Sequence, residues 1–334
     1  MRSWTDEELE LADRMRSEKY DWDAIGEAFD TTGNSVRFAV SRWNKRKALE
    51  FPEIQSKERT VEEIIEFRCN EYNRINDHER ACELIEVKVN SMDPIGIAHI
   101  GDPHMDDPGS DFPKLLRHVN AINSTPGMYG ASIGDKTNNW VGRLVRLYAN
   151  QSTTEAESIQ LIEWFIQTVP WLYLVGGNHD VWSGNKDPIK WFASQAGKLY
   201  EWHGVRIGLR FPNGALVVIN ARHDFPGNSQ WNITHGAAKA ARMGYRDDIF
   251  ACGHKHSSGY QTFAVCGKPV HALMVSGYKR WDDFAKQQGY QGTDYMPSAV
   301  TIIDPSASEE NRVHVETDVE NGCDYLTWLR SKVA

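Results

Sequence analysis

Seven side chains in this sequence have the types and spacing of metal ligands. They are Asp102 and His104 in Gly-Asp-Pro-His, Asp135 in Gly-Asp, Asn178 in Gly-Asn-His-Asp, His223 in Arg-His-Asp, and His254 and His256 in Gly-His-Lys-His. Each cluster follows an apolar run that reads as a strand: residues 95–100, 128–133, 171–175, 216–219 and 248–251. Chain segments leaving the ends of adjacent strands in an α/β sheet converge on one crevice, where ligands bind. Seven oxygen and nitrogen donors are too many for one tetrahedral zinc. They suit two ions if one carboxylate bridges them. The expectation is a dinuclear metal site.

The elements that must position these residues read as mixed α/β. Helices are expected over 112–122, 140–167 (broken) and 187–197, between the strands. Segments 205–210 and 215–220 form a hairpin across Pro212-Asn213-Gly214, and 260–275 forms another around Gly267. A helix covers 234–242, a last strand 299–303, and a C-terminal helix lies near 325–332. Before the first ligand, 84–89 alternates like a strand and Asp93-Pro94 turns the chain.

The N-terminus differs. Thr5 with Glu8 is a capping box that opens a helix to about residue 16. Asp21 caps a short helix over 22–29, Gly33 supplies a turn, and Asn34 caps a third helix over 35–47. Trp4, Trp22 and Trp43 fall one per helix, 18 and 21 residues apart. Their area gives so small a unit the core it needs. Residues 48–59 read as a linker. Thr60 with Glu63 opens a long helix to about residue 81, whose stripe Val61, Ile64, Ile65, Tyr72 and Ile75 packs on the following domain or on its copy in a homo-oligomer.

A chain of 334 residues suggests two or three domains, and 40% hydrophobic content can bury a sizeable core. A net charge of −9 excludes a generally basic nucleic-acid coat but leaves room for a local basic face. Residues 1–50 hold nine Lys/Arg against eleven Asp/Glu. Yet Arg37, Arg42, Lys45, Arg46 and Lys47 share the third helix with no acid between them. A recognition helix presents such a set to DNA, and the bland alternative is complementing the helix dipole. Five cysteines show no paired metal spacing and read as small core residues; the odd count and lack of a signal peptide imply reduced thiols in a cytoplasmic protein. No apolar run reaches the ~20 residues of a membrane helix.

Two resemblances follow from these residues. Trp4-Thr5-x-Glu7-Glu8, Trp22-x-x-Ile25 and Ser35-Val36-x-x-Ala39-x-x-x-Trp43 resemble the Myb/SANT-like class of helix-turn-helix modules over residues 3–47. The five ligand clusters, in this order, resemble the calcineurin-like metallophosphoesterase superfamily over 95–260, with support to 304. The organisation implied is a helix-turn-helix domain at 1–50, a linker and connecting helix at 51–83, and a metallophosphoesterase domain at 84–334. The second resemblance implies a four-layer α/β/β/α sandwich. It places Asp102, His104, Asp135 and His256 on one metal, and Asp135, Asn178, His223 and His254 on the other. It also makes His179 the group that protonates or steadies the leaving oxygen, with Asp180 orienting its imidazole.

Imidazole and carboxylate donors suit borderline divalent ions, manganese first, with iron, zinc or nickel as alternatives. Two such ions lower the pKa of a water between them and offset charge on a phosphoryl group. The expected activity is phosphodiester hydrolysis by metal-bridged hydroxide, with DNA or another nucleic acid as substrate. A nuclease guided by its N-terminal module resembles phage-encoded proteins in its domain pairing. The alternative substrates are small nucleotides or phosphoproteins, with the module used for assembly or regulation; a non-enzymatic DNA-binding protein with a retired site is disfavoured by the intact ligand set. Lys136, Asn138, Asn139, Arg143 and Arg146 are candidates for a phosphate groove, and the aromatic-rich loop 277–296 for base stacking. His99 lies in the strand beside the site. His78, His118, His203, His235, His271 and His314 show no ligand pattern, and Asp106 and Asp107 read as solvated loop carboxylates.

Overall fold

The computed structural model describes residues 2–49, 57–139, 145–147, 151–181, 187–281, 286, 289 and 296–332. The chain divides into two compact units, Met1–Tyr72 and Asn73–Ala334.

The first unit opens with three helices, α1 (Asp6–Ser17), α2 (Trp22–Ala28) and α3 (Gly33–Lys47). Thr5 and Glu8 exchange side-chain and backbone bonds at the start of α1, and the Asp21 carboxylate accepts from the Ala24 amide at 2.7 Å. The cap of α3 is Thr32 rather than Asn34, because Gly33 is already helical. A Cβ on Gly33 would lie 2.5 Å from the Trp22 carbonyl oxygen, so this glycine lets α2 and α3 approach. Leu9, Ala12, Ile25, Val36, Ala39, Val40 and Trp43 form the core, with Trp4 and Trp22 half-buried against it.

Helix α4 (Val61–Cys82) opens on the expected exchange between Thr60 and Glu63. None of its residues is buried, and Val61, Ile64, Ile65, Tyr72 and Ile75 are exposed.

The second unit carries two six-stranded sheets. The first sheet runs β1 (Ile85–Lys88), β6 (Gly204–Arg210), β7 (Leu216–Arg222), β8 (Ile249–Cys252), β10 (Lys268–Met274), β9 (Gly259–Val265). The second runs β12 (Val313–Glu316), β11 (Ser298–Ile303), β2 (Ile95–Ile100), β3 (Met128–Ser132), β4 (Trp171–Val175), β5 (Tyr200–Glu201). The helices are α5 (Phe112–Ser124), α6 (Glu155–Thr168), α7 (Asn178–Val181), α8 (Pro188–Gln195), α9 (His235–Met243) and α10 (Val319–Arg330). Of the broken helix expected over 140–167, residues 140–144 and 148–150 lie outside the described residues, 145–147 form a 3-10 turn, and α6 starts at Glu155, where Thr154 and Glu157 form a capping box. The C-terminal helix starts earlier than expected, on the Asp318 cap.

Alternate residues of each central strand enter different cores, as the period of two requires. On β2, Ile95 and Ile97 face the other sheet, while Ala98 and Ile100 face α5, α6, α8 and α10. On β8, Ile249 and Ala251 point between the sheets, and Phe250 and Cys252 pack with Ala237 and Ala241 of α9. Three apolar interfaces therefore separate four layers, α/β/β/α. Parallel strands β2, β3 and β4 in one sheet, and β7 and β8 in the other, end at one edge.

His99 lies on the inter-sheet side of β2, fully buried, within 3.2 Å of the Tyr173 hydroxyl and 2.9 Å of Thr301 Oγ1. Burial pushes its imidazole down to about 3. The unfolded chain therefore binds a proton between about 6.5 and 3 that the folded chain refuses, so this stability is complete above 6.5 and lost as pH falls. The shift corresponds to roughly 5 kcal/mol across that window. Urea unfolding at pH 7 and pH 4.5 should show a smaller acid loss in His99→Gln than in the parent; an equal loss refutes this.

Candidate metal centre

The five predicted clusters meet at the shared strand edge. Asp102 and His104 leave β2, Asp135 leaves β3, Asn178 leaves β4 as the first residue of α7, His223 leaves β7, and His254 and His256 leave β8. Asp102, His104 and Asp135 are fully buried and His223 nearly so. His104, Asp135, His254 and His256 all hold positive φ, between 38° and 69°. Such backbone costs a non-glycine residue on the order of 1–3 kcal/mol and collects at functional sites. Gly134 makes room beside Asp135: a Cβ there would sit 2.1 Å from His223 Nδ1.

Asp135 is common to two groups of donors. His104, Asp135 and His179 form one and Asp135, His223 and His254 the other, each with its ligand atoms within 4.8 Å of one another. The His179 amide donates to Asp135 Oδ1 at 2.8 Å. The second oxygen, Oδ2, lies 3.2 Å from His223 Nε2 and 4.0 Å from both His104 Nε2 and His179 Nε2. His223 Nε2 is 2.9 Å from Asn178 Oδ1 and 3.1 Å from His254 Nδ1. On the other side, His104 Nε2 and His256 Nε2 are 3.3 Å apart, and Asp102 Oδ2 is 3.7 Å from His256.

Hydrogen bonds behind these donors aim them. His223 Nδ1 donates to the Ile133 carbonyl at 3.1 Å, which leaves Nε2 for the cluster. The His254 amide donates to Asp102 Oδ2 at 2.7 Å. Among the described residues, buried Asp102 Oδ1 and His104 Nδ1 have no hydrogen-bond partner. Buried polar atoms in that state are costly unless an ion or ligand satisfies them.

The electrostatics show the same need for positive charge. Burial pushes the Asp102 carboxyl up to about 7, against the pull of His223. Burial also raises Asp135, but His223, His179 and His104 carry it well below the usual carboxylate range. Burial lowers His223, yet Asp135 and Asp102 together drive it up to about 9. A divalent ion bound there would compete with the proton that these carboxylates favour on His223. Two carboxylates, an amide oxygen and several imidazoles fit a borderline divalent ion.

The Asp180 oxygens accept from the Lys136 amide (2.8 Å), the Gly177 amide (2.8 Å) and Lys136 Nζ (3.0 Å). His179 Nδ1 faces the Asn138 carbonyl at 2.5 Å. Lys136 is fully buried, held by Asp180 and the Val175 carbonyl, and cannot line a groove. Asn138 is buried too, its amide donating to Asp106 and its Nδ2 to Asp107, each at 2.7 Å. Asn139 Nδ2 donates to the His179 carbonyl at 2.7 Å.

Asp106 is buried rather than solvated and also takes Gln151 and Ser158, each at 3.1 Å, while Asp107 pairs with Lys279 at 2.9 Å. These carboxylates brace the loop whose carbonyl holds His179. Arg146 is exposed; Arg143 lies outside the described residues. So does most of loop 277–296, but Tyr278 is buried, its hydroxyl 2.6 Å from His118 Nδ1, and does not stack on a substrate.

On α3 the cations are all exposed, opposite the buried face of Val36, Ala39, Val40 and Trp43. Arg46 pairs with Asp6 at 2.9 Å and Lys47 lies 3.9 Å from the Trp43 ring. Arg37 and Lys45 line one shallow depression with Asp13, Arg16, Trp22 and Asn44.

No protein-family model matches the chain, and no curated protein matches it. Solved structures give distant likenesses. Wild-type Vps29 complexed with zinc, from Entamoeba histolytica, is 15% identical, with 66% of this chain and 97% of that one covered at a TM-score of 0.33. Vps29 from Cryptosporidium parvum is 14% identical over 67% and 96%, at 0.34. The sulfate thiohydrolase SoxB of Thermus thermophilus, in complex with glycerol, is 9% identical over 72% and 60%, also at 0.34. At these scores the fold rests on the sheet order given above. Among the described residues, no helix is long and apolar enough to cross a membrane.

Proposed function

We propose that the second unit is a dinuclear metal-dependent phosphodiesterase acting on nucleic acid. The observation that carries this reading is Asp135, whose Oδ2 faces two groups of imidazoles at once. Asp102, His104, Asp135 and His256 would hold one ion, and Asp135, Asn178, His223 and His254 the other. Bound there, divalent ions supply Lewis acidity toward a phosphoryl oxygen and a water that ionises near neutral pH. The chain's own part is to hold these donors at fixed spacing and to keep His223 Nε2 unprotonated once an ion is present. His179, fixed through Nδ1 by Asn138, presents Nε2 beside the cluster, where it can pass a proton to the leaving oxygen.

The exposed cations of α3 support nucleic acid as substrate, with Arg37, Arg42 and Lys45 carrying most of the contact: Arg46 is ion-paired to Asp6 and Lys47 lies over the Trp43 ring, while Arg42 stays exposed although its Nε donates to the Phe38 carbonyl at 3.3 Å. That engagement also favours a second reading, in which the substrate is a small nucleotide and the unit serves assembly. Salt titrations of duplex DNA binding separate the two. Replacing Arg37, Arg42 and Lys45 by Ala in the full chain should lower the slope of log K against log salt by about 0.9 per lost phosphate contact. Hydrolysis of bis-p-nitrophenyl phosphate should be unchanged, since α3 holds no candidate ligand. Unaltered DNA affinity in the triple variant, with cleavage confined to small nucleotides, transfers the assignment to the second reading.

A further inference from the structure

A second cluster of ligand types lies at β5, next to β4, and shares no residue with the candidate metal centre. His78 and Cys82 are four residues apart on α4 and so share one face of the helix. Opposite them is Glu201, the last residue of β5, the edge strand of the second sheet. Cys82 Sγ lies 3.6 Å from His78 Nε2 and 3.6 Å from Glu201 Oε1, and His78 Nε2 lies 3.5 Å from Glu201 Oε1.

These separations are informative. A hydrogen-bonded imidazole and carboxylate approach to about 2.9 Å, so 3.5 Å is long for that purpose. A tetrahedral ion with metal–nitrogen and metal–oxygen bonds of about 2.0–2.1 Å and metal–sulfur of about 2.3 Å has ligand edges of roughly 3.3–3.6 Å. All three edges fit. The His78 side chain keeps 56% of its exposure and Glu201 25%, so the site opens to solvent and leaves a fourth position for water.

We infer that His78, Cys82 and Glu201 form a separate binding site for one borderline divalent cation, zinc above the others. The thiolate sets the preference, since sulfur donors select zinc over manganese, magnesium or calcium. Binding would pin the last turn of α4 to the edge of the sheet. Glu201 is the register partner of Val175, three residues before Asn178, so the clamp sits beside the strand that delivers one ligand of the candidate centre. The sequence shows no ligand pattern at His78 beyond its place four residues before Cys82, since Glu201 lies more than a hundred residues away and the fold brings it there.

Cobalt is the discriminating probe, because the Asp135 centre contains no sulfur. Full-length, reduced protein titrated with Co2+ should develop a thiolate-to-cobalt charge-transfer band that saturates at one ion per chain and is displaced by zinc. Cys82→Ser should abolish the band. His78→Ala, at an exposed position that leaves the fold intact, should weaken cobalt binding at this site by more than about 100-fold. Asp135→Asn should keep the band, so that this site and the phosphodiesterase assignment stand or fall separately. A wild-type protein that takes up cobalt with no thiolate band overturns the inference, as does a band that survives in Cys82→Ser or is unaltered in His78→Ala.

Discussion

Asp135→Asn should remove most metal-dependent hydrolysis of bis-p-nitrophenyl phosphate and leave a folded protein. Asparagine keeps the shape of the side chain but deletes the charge and turns one oxygen into an N–H donor. The lost oxygen is either Oδ1, which takes the His179 amide, or Oδ2, which faces His223, His104 and His179. Weakening a ligand set by about 10–100-fold at each of two positions gives a combined loss of about 10²–10⁴-fold. Metal content should fall for both ions together, because the two donor groups overlap only at this residue. The metal-free fold should survive, since the substitution removes a buried carboxylate rather than apolar contact. Two ions retained at near-normal rate would show that Asp135 does not bridge.

The candidate ligands were legible in the sequence because four of the five clusters are written as a local unit: an apolar run, a glycine that lets the chain turn, then the donor; His223 instead follows Arg222 directly at the end of β7. Gly134 and Gly177 show why the glycines belong to that unit. A Cβ on either would lie 2.1 Å from an atom of His223 or Asp135. The layers were legible for a similar reason, since alternation along β2 and β8 sends successive residues to different cores. What sequence spacing missed depends on partners distant along the chain. Lys136, beside a ligand, resembles a phosphate-binding cation, but Asp180 lies 44 residues on and takes it into the interior. Asp106 resembles a loop carboxylate until Gln151 and Ser158, from beyond the next loop, close on it. Strand β5, of two residues, is too short for periodicity to register.

His179→Ala should separate proton transfer from metal binding. The imidazole stands at the rim of the cluster, with Nδ1 held by the Asn138 carbonyl and Nε2 4.0 Å from Asp135 Oδ2. An ordinary diester must leave as an alkoxide unless something protonates it, so loss of the group should cost about 10²–10⁴-fold in kcat. A p-nitrophenolate leaves without a proton, and for that substrate the loss should shrink to about tenfold or less. Metal content should match the parent for both substrates, because the donors assigned to the ions do not include His179. The neighbouring geometry makes this a demanding test: His179 Nε2 is as far from Asp135 Oδ2 as His104 Nε2 is, so distance alone does not distinguish a ligand from an acid. Equal losses with good and poor leaving groups, accompanied by loss of one ion, would make His179 a ligand and move the proton donor elsewhere.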